Sequence, residues 1–248
     1  MITTVMFDMG GTLEDLYSDE TTQRAMAEKE FSLLKEYSIP YAGSVSDLLH
    51  CINTNMQRYK DESVITRIEK KPEEIWRDYL LKDVVDTSLL TEDICERLAH
   101  TWETTYFIRK LRPHVIPMLS NLKDAGLRLG IISNTASIFQ VFDTLEVYGI
   151  RDYFEQIVLS SIIGYRKPHV NAFRIAMRQM GVLPNECVYV GDTLARDVSG
   201  AIAAGFQKTI QIHSFLTDSR DAGLKGKWVP DYFIKDMSEI PAIVAALR

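Results

Sequence analysis

Hydrophobic and polar positions along the chain fall into two textures. The first residues form an apolar, β-rich run, Thr3-Thr4-Val5-Met6-Phe7, that stops at Asp8. From about residue 18 to 107 the apolar positions recur at three- and four-residue steps, the period of an amphipathic helix, and no strand is expected there. Asp19 is placed to cap a helix carrying Met26, Ala27, Phe31, Leu34 and Tyr37, and Ser44 precedes a second with Leu48, Leu49, Ile52, Met56 and Tyr59. Pro72 opens a third through Ile75, Trp76, Tyr79 and Leu80, and Thr91 a fourth through Ile94, Cys95, Leu98, Trp102 and Tyr106. Four such helices in succession should bury their apolar faces on one another as a small bundle.

From Pro113 the texture alternates. A helix is expected to end at Gly126, a strand at Ser133, and a helix to run from about Ser137 to Tyr148. A strand over 156–160 follows, then a helix from Pro168 to about Met180 stopped by Gly181. Strands over 187–190 and 209–212 flank a helix ending near Gly205, before a short apolar Tyr232–Ile234 and a terminal helix. That rhythm predicts an α/β fold with a doubly wound parallel, Rossmann-like sheet. The N-terminal strand must join this sheet, because the helical segment offers it no partner. The expected division is a core of residues 1–15 and 112–248 with an inserted four-helix, bundle-like cap, 16–111. Hinge crossings are expected near 16–18 and 108–112.

Composition narrows the function classes. With 46% hydrophobic and 25% charged residues the chain reads as an ordinary globular protein. A net charge of -6 argues against a nucleic-acid partner, which needs a basic face. No apolar stretch approaches the roughly 18 residues of a membrane-spanning helix, so no membrane partner is expected. The N-terminal run carries no basic region and ends at an acid, so a signal peptide is not expected. Cys51, Cys95 and Cys187 are odd in number and scattered, which suits reduced thiols and a cytoplasmic location.

Four polar signals stand at expected strand ends or helix starts, where open α/β sheets bind ligands. They are Asp8 with Met9-Gly10-Gly11-Thr12, Ser133-Asn134, Lys167-Pro168, and Gly191-Asp192-Thr193 followed by Asp197. Singly, each has a bland reading as a cap, a turn or a surface side chain. Jointly and in this order they resemble the four motifs of the haloacid dehalogenase superfamily, whose mobile cap is likewise inserted between the first and second motifs. The resemblance covers essentially the whole chain. It implies a Mg²⁺-dependent hydrolase acting on a small phosphorylated metabolite, with Asp8 as the nucleophile that forms an aspartyl-phosphate. It further implies Mg²⁺ held by Asp8, the Gly10 carbonyl and Asp192, with Asp197 in the outer shell orienting a water or the lysine. Ser133, Asn134, Gly11 and Thr12 would meet the phosphoryl oxygens, and Lys167 would neutralise charge between nucleophile and phosphoryl group.

Gly10 departs from the pattern. Phosphatases of the family place an acid there, which protonates the leaving group and then activates water, help worth roughly 10²–10⁴ in rate. Three readings stay open: a phosphatase that is slow or takes good leaving groups such as acyl phosphates; a phosphonatase- or dehalogenase-like hydrolase that needs no acid; or a module that binds a phosphorylated ligand. Retention of Asp8, Lys167 and Asp192 favours the first. The cap lysines Lys29, Lys35, Lys60, Lys70, Lys71 and Lys82 lack the Gly-containing helix context of a phosphonatase Schiff base. Glu14 is expected to point to water, and Arg166 and Arg196 flank the motifs with surface or substrate roles both open.

Overall fold

The computed structural model describes residues 1–215, 217–224 and 226–248. Along the chain come β1 (Thr4–Phe7), β2 (Glu14–Tyr17), α1 (Glu20–Glu36), α2 (Val45–Thr66) and the short α3 (Pro72–Ile75), which continues into a π-turn over Trp76–Leu80. Then follow α4 (Glu92–Tyr106), β3 (Ile108–Leu111), α5 (Val115–Asp124), β4 (Arg128–Ser133), α6 (Gln140–Val147), β5 (Gln156–Leu159) and α7 (Ser160–Ile163). The last third holds α8 (Val170–Met180), β6 (Cys187–Gly191), a π-turn over Leu194–Val198, α9 (Ser199–Ala204), β7 (Lys208–Ile212), α10 (Thr217–Arg220), β8 (Tyr232–Ile234) and α11 (Ile240–Ala246).

The chain divides into two compact units, one of 1–15, 110–134 and 142–248, the other of 16–109 and 135–141. In the first, six parallel strands lie in the order β5-β4-β1-β6-β7-β8, with helices on both faces. The doubly wound α/β class read from the alternation is the observed one. β1 and β6 are buried along their whole length, which is why they read as unbroken apolar runs. On one face Phe173, Ala176, Met177 and Met180 of α8 pack with Met6, Ile132, Val158 and Tyr189 from four neighbouring strands. From β1 the sheet grows first to one side through β4 and β5, then to the other through β6, β7 and β8. Phe7 pairs with Ile131 on one side and Val190 on the other, so residues just past these positions meet at the carboxyl edge where the order reverses.

The helical unit is built as its caps and periodicity dictate. Asp19 accepts from Thr22 N at 2.8 Å while the Thr22 hydroxyl accepts from Asp19 N at 3.0 Å, a reciprocal cap at the start of α1. Ser44 and Asp47 repeat the device on α2, and Thr91 caps α4. Met26, Leu34, Leu48, Ile52, Trp76, Leu98 and Trp102 form its core. Residues 135–141 belong to this unit through two carboxylates of α4. Glu96 accepts from the Ser137 hydroxyl at 2.5 Å and from the Ile138 and Phe139 amides at 2.9 and 3.2 Å. Glu103 accepts from Ala136 N at 3.3 Å. Held this way, Ser137 caps α6 by accepting from Gln140 N at 3.1 Å, so the helix starts at Gln140, three residues later than periodicity suggests.

Two short strands were not expected. β2 and β3 pair as a two-stranded sheet where the chain passes between units, and four residues are too few to register against the helical texture beside them. The three cysteines are free. Among the described residues no helix is long and apolar enough to cross a membrane.

Candidate active site

Asp8 stands one residue past β1, and its amide continues the ladder by donating to Val190 O at 2.9 Å. Met9 N donates to Asp8 Oδ1 at 2.7 Å, fixing the carboxylate. The chain then turns back: Leu13 N donates to Met9 O at 2.9 Å and Gly11 N to Glu14 O at 2.8 Å. Gly11 adopts φ +87°, and a Cβ there would stand 2.3 Å from Asp192 Oδ2. Only glycine meets both the backbone angle and the close approach. At the end of β6, a Cβ on Gly191 would stand 2.3 Å from the Asp197 Cβ, so the second acidic loop is packed as tightly.

The charged centre is compact and buried. Asp8, Asp192 and Asp197 each place an oxygen within 4.8 Å of the others. Lys167 Nζ lies 2.7 Å from both Asp8 Oδ1 and Asp197 Oδ1 and donates to Tyr189 Oη at 2.9 Å. Asp197 also accepts from Thr193 N and Oγ1 at 3.1 and 2.6 Å. The π-turn that carries Asp197 inserts an extra residue into the first turn after Thr193, a device common at functional sites. Asp192 Oδ2 accepts from Ser214 Oγ at 2.6 Å, while Oδ1 is buried with no hydrogen-bond partner. Arg196 Nη2 stands 3.6 Å from that oxygen.

These surroundings split the three acids. Burial raises the Asp8 pKa, and Lys167 offsets only part of this because it is shared with Asp197. Burial likewise pushes Asp192 up to about 7 against the pull of Arg196. Burial would raise Asp197 too, but Lys167 and Arg196 hold its carboxyl well below the usual range. Burial, with Asp197 and Asp8 nearby, pushes Tyr189 well up, so its hydroxyl keeps its proton. A set of buried acids with one orphaned oxygen is short of positive charge.

Asp8, Lys167 and the pair Asp192 and Asp197 thus come together from three separate stretches of sequence. Ser133 ends β4 beside β1 and is buried. Asn134, expected at the phosphate, spends its carboxamide on the Lys167 backbone: Oδ1 accepts from Lys167 N at 2.8 Å and Nδ2 donates to Lys167 O at 3.1 Å. Its side chain therefore positions the lysine. Gly10 bridges to Glu14 across the Asp8 turn, and the Thr12 hydroxyl is buried without a partner. Glu14 corrects an expectation: instead of facing water it is fully buried, accepting from the Tyr148 hydroxyl at 2.8 Å. Arg196 reaches the acids, and Arg166 is half-buried.

Tyr189, Ser214, Thr217 and Asp221 escaped the sequence reading. Thr217 Oγ1 and Gln211 Nε2 each donate to Asp192 O at 2.9 Å, and Asp221 accepts from Leu194 N at 2.9 Å and Ala195 N at 3.2 Å. Together they brace the Asp192 loop from β7 and the segment after it. Tyr189 alone left a signal, a phenol within a fully buried strand, which must find a polar partner.

A family model described as haloacid dehalogenase-like hydrolase matches residues 2–205. A glyceraldehyde 3-phosphate phosphatase of Methanopyrus kandleri is 39% identical over 103 residues, 42% of this chain and 44% of that protein. The chain spans about half the length of this and two further relatives of the same name, 58% and 57% of theirs. A pyrophosphatase PpaX of Oceanobacillus iheyensis is 27% identical over 98% of this chain and 97% of its own. A 2-haloacid dehalogenase structure from Pseudomonas syringae pv. Tomato DC3000 superposes with a TM-score of 0.65 over the whole of both chains at 22% identity, a likeness of fold.

Proposed function

The chain belongs to the haloacid dehalogenase-like hydrolases, and from that premise we propose that it is a phosphatase of small phosphorylated metabolites working through Asp8. The observation that carries this reading is the Asp8 carboxylate at the carboxyl edge of the central strand, with Lys167 Nζ 2.7 Å from its Oδ1. Relatives named as glyceraldehyde 3-phosphate phosphatase and pyrophosphatase support the substrate class. In this reading the helical unit is the cap that selects the substrate, and the setting is cytoplasmic.

The residues fit a divalent cation. Mg²⁺ takes hard oxygen ligands, and Asp192 Oδ1, buried near Asp8 with no hydrogen-bond donor, is an oxygen with lone pairs open to a cation. Asp8, the Gly10 carbonyl and Asp192 would hold it, with Asp197 behind. Bound there, Mg²⁺ would offset the negative charge of the transferring phosphoryl group.

The remaining work falls to the chain itself. Asp8 attacks phosphorus and the bond to the leaving oxygen breaks, giving an aspartyl-phosphate that water then hydrolyses. Lys167, fixed by Asp197, Tyr189 and the Asn134 clamp, balances charge between nucleophile and phosphoryl group. Ser133 donates its hydroxyl to a phosphoryl oxygen. Gly10 supplies no proton to the leaving group, which favours acyl phosphates and phosphoric anhydrides over alkyl esters. The retained acid cluster and Lys167 speak against a dehalogenase or a simple binder.

Gly10→Asp tests the reading. Turnover of an alkyl phosphate should rise roughly 10- to 1,000-fold, within the range of general acid–base catalysis, and that of an acyl phosphate less. Rapid quench of the wild type with labelled substrate should show a burst of phosphorylated Asp8 followed by slow release. No burst, together with no gain in the variant, would remove phosphoryl transfer to Asp8.

A further inference from the structure

Arg196 has no part in the reaction just described, yet its guanidinium faces the acids. It sits on the π-turn next to Asp197, anchored by Nε donating to Thr193 Oγ1 at 3.3 Å. Nη2 lies 3.6 Å from Asp192 Oδ1, close enough for an ion pair and too far for a hydrogen bond. The other charges at the centre are already matched: Lys167 is divided between Asp8 and Asp197 at 2.7 Å each. Among the described residues, Arg196 is the one cation within ion-pairing distance of Asp192. Ser214 occupies the other Asp192 oxygen at 2.6 Å, so Arg196 and any entering cation have the same oxygen to share.

We propose that Arg196 is the resident counter-charge of Asp192, standing by Oδ1 and opposing any divalent cation that binds the same oxygen. The inference rests on the reading that Asp8, Gly10 and Asp192 hold Mg²⁺. Its physical basis is charge. Three buried carboxylates against two cations leave the centre one charge short, enough to keep it folded and primed. A divalent ion bound to Oδ1 would then lie a few ångströms from a fixed positive group. Even with water-like screening, that repulsion weakens binding roughly tenfold. Arg196 thus supplies part of the positive charge that Asp192 needs and sets a higher threshold of Mg²⁺ for binding there.

The test compares wild type, Arg196→Met, Arg196→Gln and the charge-keeping Arg196→Lys by titration calorimetry with Mg²⁺ alone. Both neutral variants should bind Mg²⁺ at least severalfold tighter than wild type, with Arg196→Lys close to wild type. Metal-free melting temperatures of the neutral variants should fall, and Mg²⁺ should raise them by more than it raises the wild type's. General structural damage would weaken Mg²⁺ binding, so tightening separates the proposed role from a merely structural one. Should Arg196→Met fail to fold, Arg196→Gln carries the comparison. Unchanged or weaker Mg²⁺ binding in the neutral variants overturns the inference. If, in addition, only their affinity for inorganic phosphate drops, Arg196 is a substrate contact instead. Absence of Mg²⁺ binding by the wild type would instead remove the metal reading itself, and this inference with it.

Discussion

Replacing Glu30 by leucine should stabilise the protein, and by an amount that grows with pH. Glu30 lies on the inward face of α1, in register with Met26, Ala27, Leu33 and Leu34, and is 1% exposed. Neither carboxylate oxygen has a hydrogen-bond partner. Burial drives its pKa well above the ordinary 4.5, and the charge of Arg97 offsets only part of the rise. An unsatisfied buried polar group costs about 1–3 kcal/mol, and leucine is at least as good a helix former as glutamate. The expected gain is therefore about 1–3 kcal/mol near neutral pH, or roughly 2–4 °C of melting temperature per kcal/mol for a chain of this size. The sign with pH follows from linkage. A carboxyl with a raised folded-state pKa binds its proton more tightly when folded, so its contribution to stability falls as pH rises above the unfolded value. The gap between Glu30→Leu and wild type should be smallest near pH 4.5 and widen toward pH 7.5 in denaturant melts followed by circular dichroism. Glu30→Gln, which cannot ionise, should lose the pH dependence while keeping the polar cost. A Glu30→Leu protein less stable than wild type, or a gap that does not change with pH, would refute the account.

Other substitutions probe the site and its supports. Asp192→Ala should nearly abolish Mg²⁺ binding by calorimetry, while Asp197→Asn should weaken it roughly 10–100-fold, as loss of an outer-shell group does; equal binding by all three proteins would argue against a metal at these acids. Gly11→Ala should cost about 1–3 kcal/mol in thermal melts, because the new Cβ meets Asp192 at a left-handed backbone angle; a melting temperature within 1 °C or so of wild type would contradict the close approach. Glu96→Ala should speed hydrogen exchange at the Ile138 and Phe139 amides by about tenfold or more, from loss of charge-assisted bonds worth about 1.5–3 kcal/mol; unchanged exchange there would mean that the loop holds itself.

Legibility in the sequence followed the range of the interaction. Elements set by local chemistry were readable: the Asp19, Ser44 and Thr91 caps, Pro72 at a helix start, and Gly181 in the left-handed position that stops α8. The sheet was readable because a parallel strand buried on both faces leaves an apolar run between helical repeats. The late start of α6 was not, since the loop before it is held by Glu96 and Glu103, 41 and 33 residues before their partners in the chain. In the site, Asp8, Lys167, Asp192 and Asp197 stood out because their chain positions are strand ends or helix starts. Ser214, Thr217 and Asp221 did not, because a hydroxyl in a loop acquires its role only when the loop folds back over Asp192. Glu14 misled for the same reason: a carboxylate in a turn looks solvated until Tyr148, 134 residues away, meets it.

The absent side chain at Gly10 gains weight from how the neighbouring acids are engaged. A stand-in proton donor would have to be a carboxyl with a spare oxygen near Asp8. Asp197 is committed to Lys167 and Thr193 and is held so far below the usual carboxylate range that it keeps no proton to give. Glu14 is buried against Tyr148. Asp192 has one oxygen tied to Ser214, and in the proposed enzyme the other belongs to the cation. Lys167 is divided between two carboxylates. Neither these carboxyls nor Lys167 is therefore left to protonate a departing alkoxide in the proposed enzyme, which favours a proton from solvent or chemistry that needs none. Chemistry that releases a carboxylate or a phosphate makes it unnecessary, because those leaving groups are stable as anions. In the proposed enzyme the missing acid would therefore select the substrate: the centre would support phosphoryl transfer to Asp8 and discriminate against esters whose leaving group must be protonated as it goes.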